Sequence, residues 1–234
     1  MQIVSGNALD VRVAVYHFIK PNSPHQFITF PMIHVGEPRF YQEIARRLAQ
    51  CDIVLYEGIN SKKGGLGISS YESLAKHLGL GLQRQELKKQ GLKQLEKVEF
   101  IHADLSKQEF EGYWRKIPLY QRMFYNGYTF LAHLAAMVEL DRQLIAKELS
   151  INLRDESPGF MGKKNKIDDL IVRKRDRRLI HHIERQTKIH EGTPKVIGIV
   201  YGAYHIQTIM QYLLDQQHYV VKDANWVIAF GAES

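Results

Sequence analysis

The sequence contains very little cysteine, because Cys51 is the only one among 234 residues. A single cysteine cannot form a disulfide within the chain, which excludes a disulfide-stabilised scaffold and favours a reducing compartment such as the cytoplasm. Cys51 lies between an amphipathic run and an apolar run, where a small buried residue is typical. We therefore expect an inert thiol rather than a reactive one.

Long hydrophobic runs are also missing. A membrane-spanning helix needs roughly 20 consecutive apolar residues, and the most apolar stretch, 128–140, contains His133 and Glu139. The N-terminus lacks a basic region followed by an apolar core and a small-residue cleavage site. We therefore expect a soluble protein that is not exported, organised as one domain over residues 1–234.

Two common functional motifs are absent. No H-E-x-x-H pattern is present, so the familiar helical zinc-peptidase motif is excluded. The GGLG run at 64–67 does not lie between a predicted strand and a predicted helix, which is the setting that a nucleotide-binding glycine motif requires.

Positive charge exceeds negative charge. The 32 Lys and Arg residues against 25 Asp and Glu residues give a net charge of +7, and much of the excess lies at 163–166 and 173–178. Such stretches can attract nucleic acid, anionic lipid or acidic substrates. No aromatic-interleaved RNA motif or zinc-finger spacing accompanies them, so a solvated helix face and a loop are favoured over a nucleic-acid site.

Strand and helix patterns alternate along the first quarter of the chain. β-branched and aromatic residues predict strands at 11–19 and 26–33, joined as a hairpin by a turn rich in Pro, Asn and Ser. Helical spacing at 37–50 and an apolar run at 52–56 follow. The region 26–56 is therefore predicted to be a strand–helix–strand unit whose two strands form a parallel pair.

The rest of the chain continues the alternation and completes the predicted α/β fold, a mixed, largely parallel central sheet flanked by helices. A mainly helical insertion is expected at about 70–190. The predicted elements are a flexible loop at 61–69, helices to about 95, a strand at 98–103, a helical stretch opened by a capping box of Ser106 and Glu109 and broken near 126–127, a mobile loop at 157–165, a basic helix at 167–187, a strand at 195–201, a helix at 204–216 and closing strands at 218–222 and 225–230.

Two segments of the chain repeat one arrangement. QFITF-PMIH and KVIGIVY-GAYH each run from a strand through a four-residue turn that ends in histidine into a helix, which singles out His34 and His205. Glu57 directly follows the predicted strand at 52–56. Groups beyond the carboxyl ends of strands line the ligand crevice of open α/β sheets. The alternatives are histidines that cap or pack locally, and a glutamate that is merely the first exposed residue.

His34, Glu57 and His205 together suit a divalent metal such as Mn, Co or Zn. Two imidazoles and one carboxylate leave coordination positions for water and substrate. His205 falls at the edge of the apolar stripe of its helix, so its replacement by Ala is expected to leave the fold largely intact.

Arg175 is unexpected on the predicted basic helix, because it projects within an apolar face. Its guanidinium requires an anionic partner there. One interpretation is a clamp for a developing oxyanion, and the other is a structural ion pair, for instance with Asp104 at the end of the strand 98–103. The apolar face consists of Ile171, Val172, Leu179 and Ile183. We expect His34, Glu57, Arg175 and His205 to line one cleft.

These motifs together resemble the TraB/Tiki family, part of a broader group that includes erythromycin esterase-like and ChaN-like proteins. The resemblance rests on PMIHVG at 31–36, VLYEG at 54–58, RKRD at 173–176 and GAYH at 202–205. It implies that His34 and His205 are the motif histidines, Glu57 the strand-end glutamate and Arg175 the helix arginine, while Asp104 matches an aspartate at an intermediate strand end.

The activity that the resemblance implies is a metal-dependent hydrolase of the peptidase or amidase type, acting on a peptide or a small amide or ester. Glu57 or Asp104 would then serve as the base. Two positions depart from the family pattern: Pro31 stands where Gly is usual and Lys174 where Glu is usual. These departures favour the rival hypothesis, a non-catalytic member of the same fold that binds a partner or an anionic ligand through its basic face. The sequence does not identify the metal or the oligomeric state.

Overall fold

The computed structural model describes residues 1–7, 9–58, 75–76, 78–89, 97–127, 151–152 and 166–231. The loops predicted at 61–69 and 157–165 and the helical stretch predicted at 128–149 lie outside the described residues. Most of the insertion predicted at about 70–190 lies outside them as well, so that insertion stays a prediction.

The described elements alternate between strands and helices, as the sequence predicts. In chain order they are β1 (Gln2–Gly6), β2 (Asp10–Ile19), β3 (His25–Met32), β4 (Val35–Gly36), α1 (Pro38–Leu48), β5 (Ile53–Tyr56), β6 (Gly81–Leu82), α2 (Gln83–Lys89), β7 (Glu99–His102), α3 (Lys107–Arg115), a helical segment at 119–127, β8 (Ile151–Asn152), α4 (Lys166–Asp168 and Lys174–Ile189, joined by a π-helical turn at Asp169–Arg173), β9 (Lys195–Gly202), α5 (Ala203–Gln211, continued by a π-helical turn at Tyr212–Gln216) and β10 (Val220–Gly231).

The central sheet is mixed, which confirms the predicted α/β class. Its strand order is β7-β5-β9-β3-β2-β1-β8, and β10 pairs with β2 along the other edge of that strand. The strands β7, β5, β9 and β3 run parallel, whereas the remaining described pairings in this sheet are antiparallel. The predicted hairpin of the first two strands is confirmed by the pairing of β2 with β3.

The predicted pairing of the strands at 26–33 and 52–56 is wrong, although both strands run in the same direction. β9 lies between β3 and β5 and pairs with each of them in parallel. Its residues Ile197–Tyr201 are all buried, as expected for a strand in the middle of a parallel sheet that is covered on both sides. The strands of the two strand–turn–His units therefore lie side by side.

The structure adds to one predicted boundary and corrects another. The helical stretch after the capping box is already interrupted at 116–118, since Pro118 has no backbone N–H to continue a helix. Residues 126–127 are helical, and the residues after them, where the predicted break would continue, lie outside the described residues. The two closing strands are one long strand, β10, which contains a register shift between Val221 and Asp223. Antiparallel pairing along the whole of β2 outweighs the polar sequence at 222–225, and polar residues are common on edge strands.

Local signals elsewhere are confirmed. Ser106 and Glu109 form the predicted capping box at the start of α3, with both reciprocal hydrogen bonds present. Cys51 is buried, and this burial raises the pKa of its thiol to about 12, so the thiolate is strongly disfavoured. None of the helices in the described ranges is long and apolar enough to cross a membrane.

Candidate functional site

The parallel half of the sheet brings the predicted site residues to one edge. Parallel strands share the direction of their carboxyl ends, so the residues that follow β3, β5, β7 and β9 emerge together. His34 follows β3, Glu57 follows β5, Asp104 follows β7, and His205 lies in the first turn of α5 after β9. The register of β3 with β9, in which Met32 lies opposite Gly202, makes the two histidine segments neighbours.

Arg175 joins two of these strand ends from α4. Its Nε and Nη2 atoms donate to Asp104 Oδ1 and Oδ2 at 3.0 and 2.8 Å, and Nη2 also donates to Glu57 Oε1. Asp104 accepts in addition from the backbone N–H groups of Leu105 and Gly58. Of the two interpretations of Arg175, the arrangement is that of the structural ion pair with Asp104, extended to Glu57.

Glu57 is ionised at neutral pH. Burial by itself would raise the pKa of this carboxyl group, but Arg175, His205 and the N–H of Gly202 outweigh burial and hold its pKa at about 2. The Gly202 N–H donates to Glu57 Oε2 at 2.6 Å. A carboxylate with so low a pKa is a weak base at neutral pH, which favours a role as ligand or electrostatic partner over that of general base.

His205 is buried rather than at the margin of the core. It is 6% exposed, and its Nδ1 lies 2.6 Å from Oδ1 of Asp176, which is 4% exposed. The ring of Tyr201 packs edge-on against the His205 ring at a centroid distance of 5.5 Å. The premise that His205 lies at the edge of the core is therefore wrong, and we now expect His205→Ala to destabilise the fold, because this change would leave the buried Asp176 without its partner.

His34 differs from His205 because its side chain has exposed surface. Desolvation by the surrounding protein lowers the pKa of its imidazole, and this effect outweighs Glu57 and a hydrogen bond to Gln83, which both raise it. The backbone N–H of Gln83 donates to His34 O at 3.0 Å, so the start of α2 holds this segment.

Gly202 allows Glu57 and His205 to approach each other. A Cβ atom at this position would lie 3.2 Å from Glu57 Oε2 and 3.6 Å from His205 Cδ2. The first distance is tighter than an ordinary van der Waals contact, so any larger residue would push the carboxylate away. The glycine of GAYH thus gives the two side chains access to one small volume above the backbone.

The two departures from the family pattern have distinct surroundings. Pro31 lies inside β3 opposite Tyr201, one position before the residue that faces Gly202. Lys174 pairs with Asp169 at 3.3 Å, and its ammonium group lies 4.5 Å from the ring centroid of Tyr113. The Lys174 side chain therefore contacts Asp169 and Tyr113 and does not join the ionic cluster around Arg175.

The candidate residues fit a divalent metal by their chemistry. His205 has a carboxylate on Nδ1, which is the usual support for a histidine that binds a metal through its other nitrogen. Glu57 accepts from Arg175 and Gly202, but two carboxylate oxygens offer about four lone-pair sites. Within the described residues, however, no three His, Cys, Asp or Glu side chains are grouped closely enough to hold an ion as they stand. A metal would therefore have to draw His34, Glu57 and His205 together.

The most important residue that sequence reasoning missed is Asp176. It belongs to the spacing Val172, Asp176, Leu179, Ile183, so it lies on the apolar stripe of α4 beside Arg175. A carboxylate at the centre of an apolar stripe is the signal that could have revealed it, since Asp is rarely buried without a partner. Tyr201 was also missed, and its hydroxyl donates to Ala103 O at 2.9 Å.

Comparison with models of known protein families, with curated protein sequences and with solved structures finds no match for this chain.

Proposed function

We propose that the chain is a metal-dependent hydrolase that acts on a peptide, amide or ester bond, with His34, Glu57 and His205 as its metal-binding residues. The observation that carries this proposal is the ionic cluster at the carboxyl edge of the parallel strands. It keeps Glu57 ionised beside a buried His205 and within electrostatic range of the accessible His34. The hydrolytic activity and the substrate class come from the resemblance to the TraB/Tiki family.

We assign a separate role in such a site to each of the described residues. A divalent ion bound there would polarise the scissile carbonyl and lower the pKa of bound water. His34 provides a neutral imidazole on the solvent side, because desolvation keeps its pKa below the ordinary value. Arg175 directs two of its nitrogen atoms at carboxylates. We therefore assign Arg175 and Asp104 to the positioning of Glu57 rather than to an oxyanion clamp or a base.

Metal-dependent stabilisation tests the proposal. A ligand at 100 times its dissociation constant stabilises a protein by about 2.7 kcal/mol, which for a chain of this size raises the melting temperature by roughly 5–10 °C. Thermal unfolding of the purified protein with Mn²⁺, Co²⁺ or Zn²⁺, compared with a chelator, is expected to show this rise. Elemental analysis of the protein as purified identifies the ion.

His34→Ala is the variant of choice because the His34 side chain is exposed. Its melting temperature in chelator should stay near that of the wild type, since surface substitutions usually change stability by within about 0.5 kcal/mol. The metal-dependent rise should disappear. His181→Ala removes an exposed histidine of α4 outside the cluster and should keep the full rise. Equal metal responses of all three proteins would contradict the assignment.

Hydrolysis is assayed separately with a panel of amide, peptide and ester substrates in the presence of the stabilising ion. Turnover that is lost in His34→Ala and kept in His181→Ala supports the hydrolase. Metal binding without turnover of any substrate would favour the rival, a non-catalytic member of the fold. Lys174 supports that rival, because it occupies the position at which the family has a glutamate, and it pairs with Asp169.

The basic face on which the rival depends is partly neutralised. Lys174 and Arg177 both pair with Asp169, and Arg178 pairs with Glu109. This leaves less free positive charge on α4 than the sequence suggests, so we rank the anion-binding or nucleic-acid-binding role second. As part of the same proposal we place the protein in the cytoplasm, on the basis of its single buried cysteine.

A further inference from the structure

Asp176 is a buried carboxylate that the proposed function does not use. Its Oδ1 lies 2.6 Å from Nδ1 of His205, and both side chains are almost completely removed from solvent. Among the described residues, Asp176 is the one hydrogen-bond partner of the His205 ring. The second ring nitrogen, Nε2, is therefore available for another partner.

The position of the proton on His205 follows from this contact. A neutral imidazole carries one N–H and one lone pair, and the two nitrogens exchange these roles between tautomers. A carboxylate can only accept, so a carboxylate at Nδ1 keeps the proton on Nδ1 and the lone pair on Nε2. The same carboxylate also fixes the plane of the ring.

The ring edge that adjoins Nε2 faces the candidate site. The Cδ2 atom, which is bonded to Nε2, lies near Gly202 on the side where Glu57 Oε2 is also found. Tyr201 packs edge-on against the ring and limits its rotation. A fixed lone pair on Nε2 would consequently be presented next to the Glu57 carboxylate.

Helix α4 supplies both supports of the site from consecutive residues. Arg175 holds Glu57 and Asp104, and Asp176 holds His205. The π-helical turn at Asp169–Arg173 lies just before them, and such turns often occur at functional sites. The two halves of the cluster are therefore held by the same helix.

We propose that Asp176 is the positioning residue of the site: it holds His205 with the proton on Nδ1 and presents the Nε2 lone pair beside Glu57. What Nε2 binds rests on the proposed function, but the tautomer itself does not.

The tautomer is read by ¹⁵N NMR of histidine-labelled protein in slightly alkaline, metal-free buffer, because protonated and unprotonated ring nitrogens have well separated shifts. His205 of the wild type is expected to show a protonated Nδ1 and an unprotonated Nε2. Asp176→Asn retains an acceptor oxygen and should retain this tautomer. Asp176→Leu has a similar volume but no acceptor, and should shift His205 towards the Nε2–H form or a mixture.

Asp168→Leu is the matched control, since Asp168 is a buried carboxylate of the same helix that acts electrostatically on Tyr125. It should lower the melting temperature and leave the His205 tautomer unchanged. If the role of Asp176 were merely structural, Asp176→Leu would behave like Asp168→Leu, with a lower melting temperature and an unchanged His205 tautomer. A wild-type His205 with a protonated Nε2, or an Asp176→Leu protein with the wild-type tautomer, would overturn the proposal. Where Asp176→Leu does not fold, the wild-type tautomer decides alone.

A second measurement separates this proposal from the proposed function. Titration with Co²⁺, followed by its visible absorption, should give an affinity about 10–100-fold weaker in Asp176→Leu than in the wild type, as is usual when the carboxylate behind a metal-binding histidine is lost. Asp176→Asn should recover part of this loss. If the wild type binds no metal, the proposed metal site fails, while the tautomer still supports or overturns the role of Asp176. Equal Co²⁺ affinity in wild type and Asp176→Leu overturns that role.

Discussion

Arg175→Met is the change that most directly tests the ionic cluster. Methionine preserves much of the length and apolar volume of arginine but removes every hydrogen-bond donor. Asp104, whose side chain has no exposed surface, and Glu57, whose side chain is 15% exposed, would both lose their counter-charge. Removal of one partner from a buried ion pair typically costs about 3–5 kcal/mol, because the remaining charge stays buried without compensation.

For a chain of this size the loss corresponds to a fall in melting temperature of roughly 6–20 °C. The assay is thermal unfolding together with urea unfolding, performed in chelator so that loss of a metal does not contribute. The urea midpoint should fall without a change of slope, which identifies a change of stability rather than of compactness.

Arg47→Met is the control, because it removes the same side chain from a more exposed pair with Glu43. Exposed ion pairs contribute less than about 1 kcal/mol, so this variant should unfold close to the wild type. Asp104→Asn in the Arg175→Met background should recover part of the lost stability, since one uncompensated charge disappears. Arg175→Met and Arg47→Met proteins with the same midpoint would refute the reasoning.

Three further predictions concern other parts of the chain. Cys51 should resist alkylation in the native protein at pH 8 and react after unfolding, because burial raises its pKa to about 12; rapid native labelling would contradict this. Glu43→Gln should destabilise by less than about 1 kcal/mol at pH 7. The pKa of Glu43 is lowered from 4.5 to about 2, chiefly by its hydrogen bond with Arg46, so that effect should fade as the pH falls from 4.5 towards 2, and a pH-independent difference in urea midpoints would count against it. Gly112→Ala, in open space within α3, should stabilise the protein by about 0.5–1 kcal/mol. Gly202→Ala should instead destabilise it and weaken metal binding. A similar response of the two variants in unfolding experiments would show that the close approach at Gly202 is unimportant.

The placement of candidate residues at strand ends could be predicted because the signal is local. An apolar strand, a turn and a helix are each encoded within about ten residues, so the positions of His34, Glu57 and His205 after their strands follow from hydrophobic periodicity. The sequence also indicated that Arg175 would be buried and require an anion, since a charge within an apolar stripe is visible by spacing alone.

The sequence did not reveal how these units would be combined. β9 pairs with both β3 and β5, although it follows them much later in the chain. Gly198 of β9, for example, lies 144 residues after its partner Val54 in β5. No local pattern encodes which parallel strand becomes the central one, because several apolar strands have the same appearance in sequence. The predicted neighbours were wrong for that reason.

The partners of the charged groups were likewise decided by tertiary structure. Sequence patterns left Arg175 with two interpretations, and the contact with Asp104, 71 residues away, is the one that forms. The Glu57 carboxylate meets the N–H of Gly202, 145 residues away, and Asp176 meets His205. The sequence by itself determined which residues are chemically unusual at their positions. Only the folded chain decided which of them meet, because hydrogen bonds and ion pairs act over a few ångströms in space and have no period along the sequence.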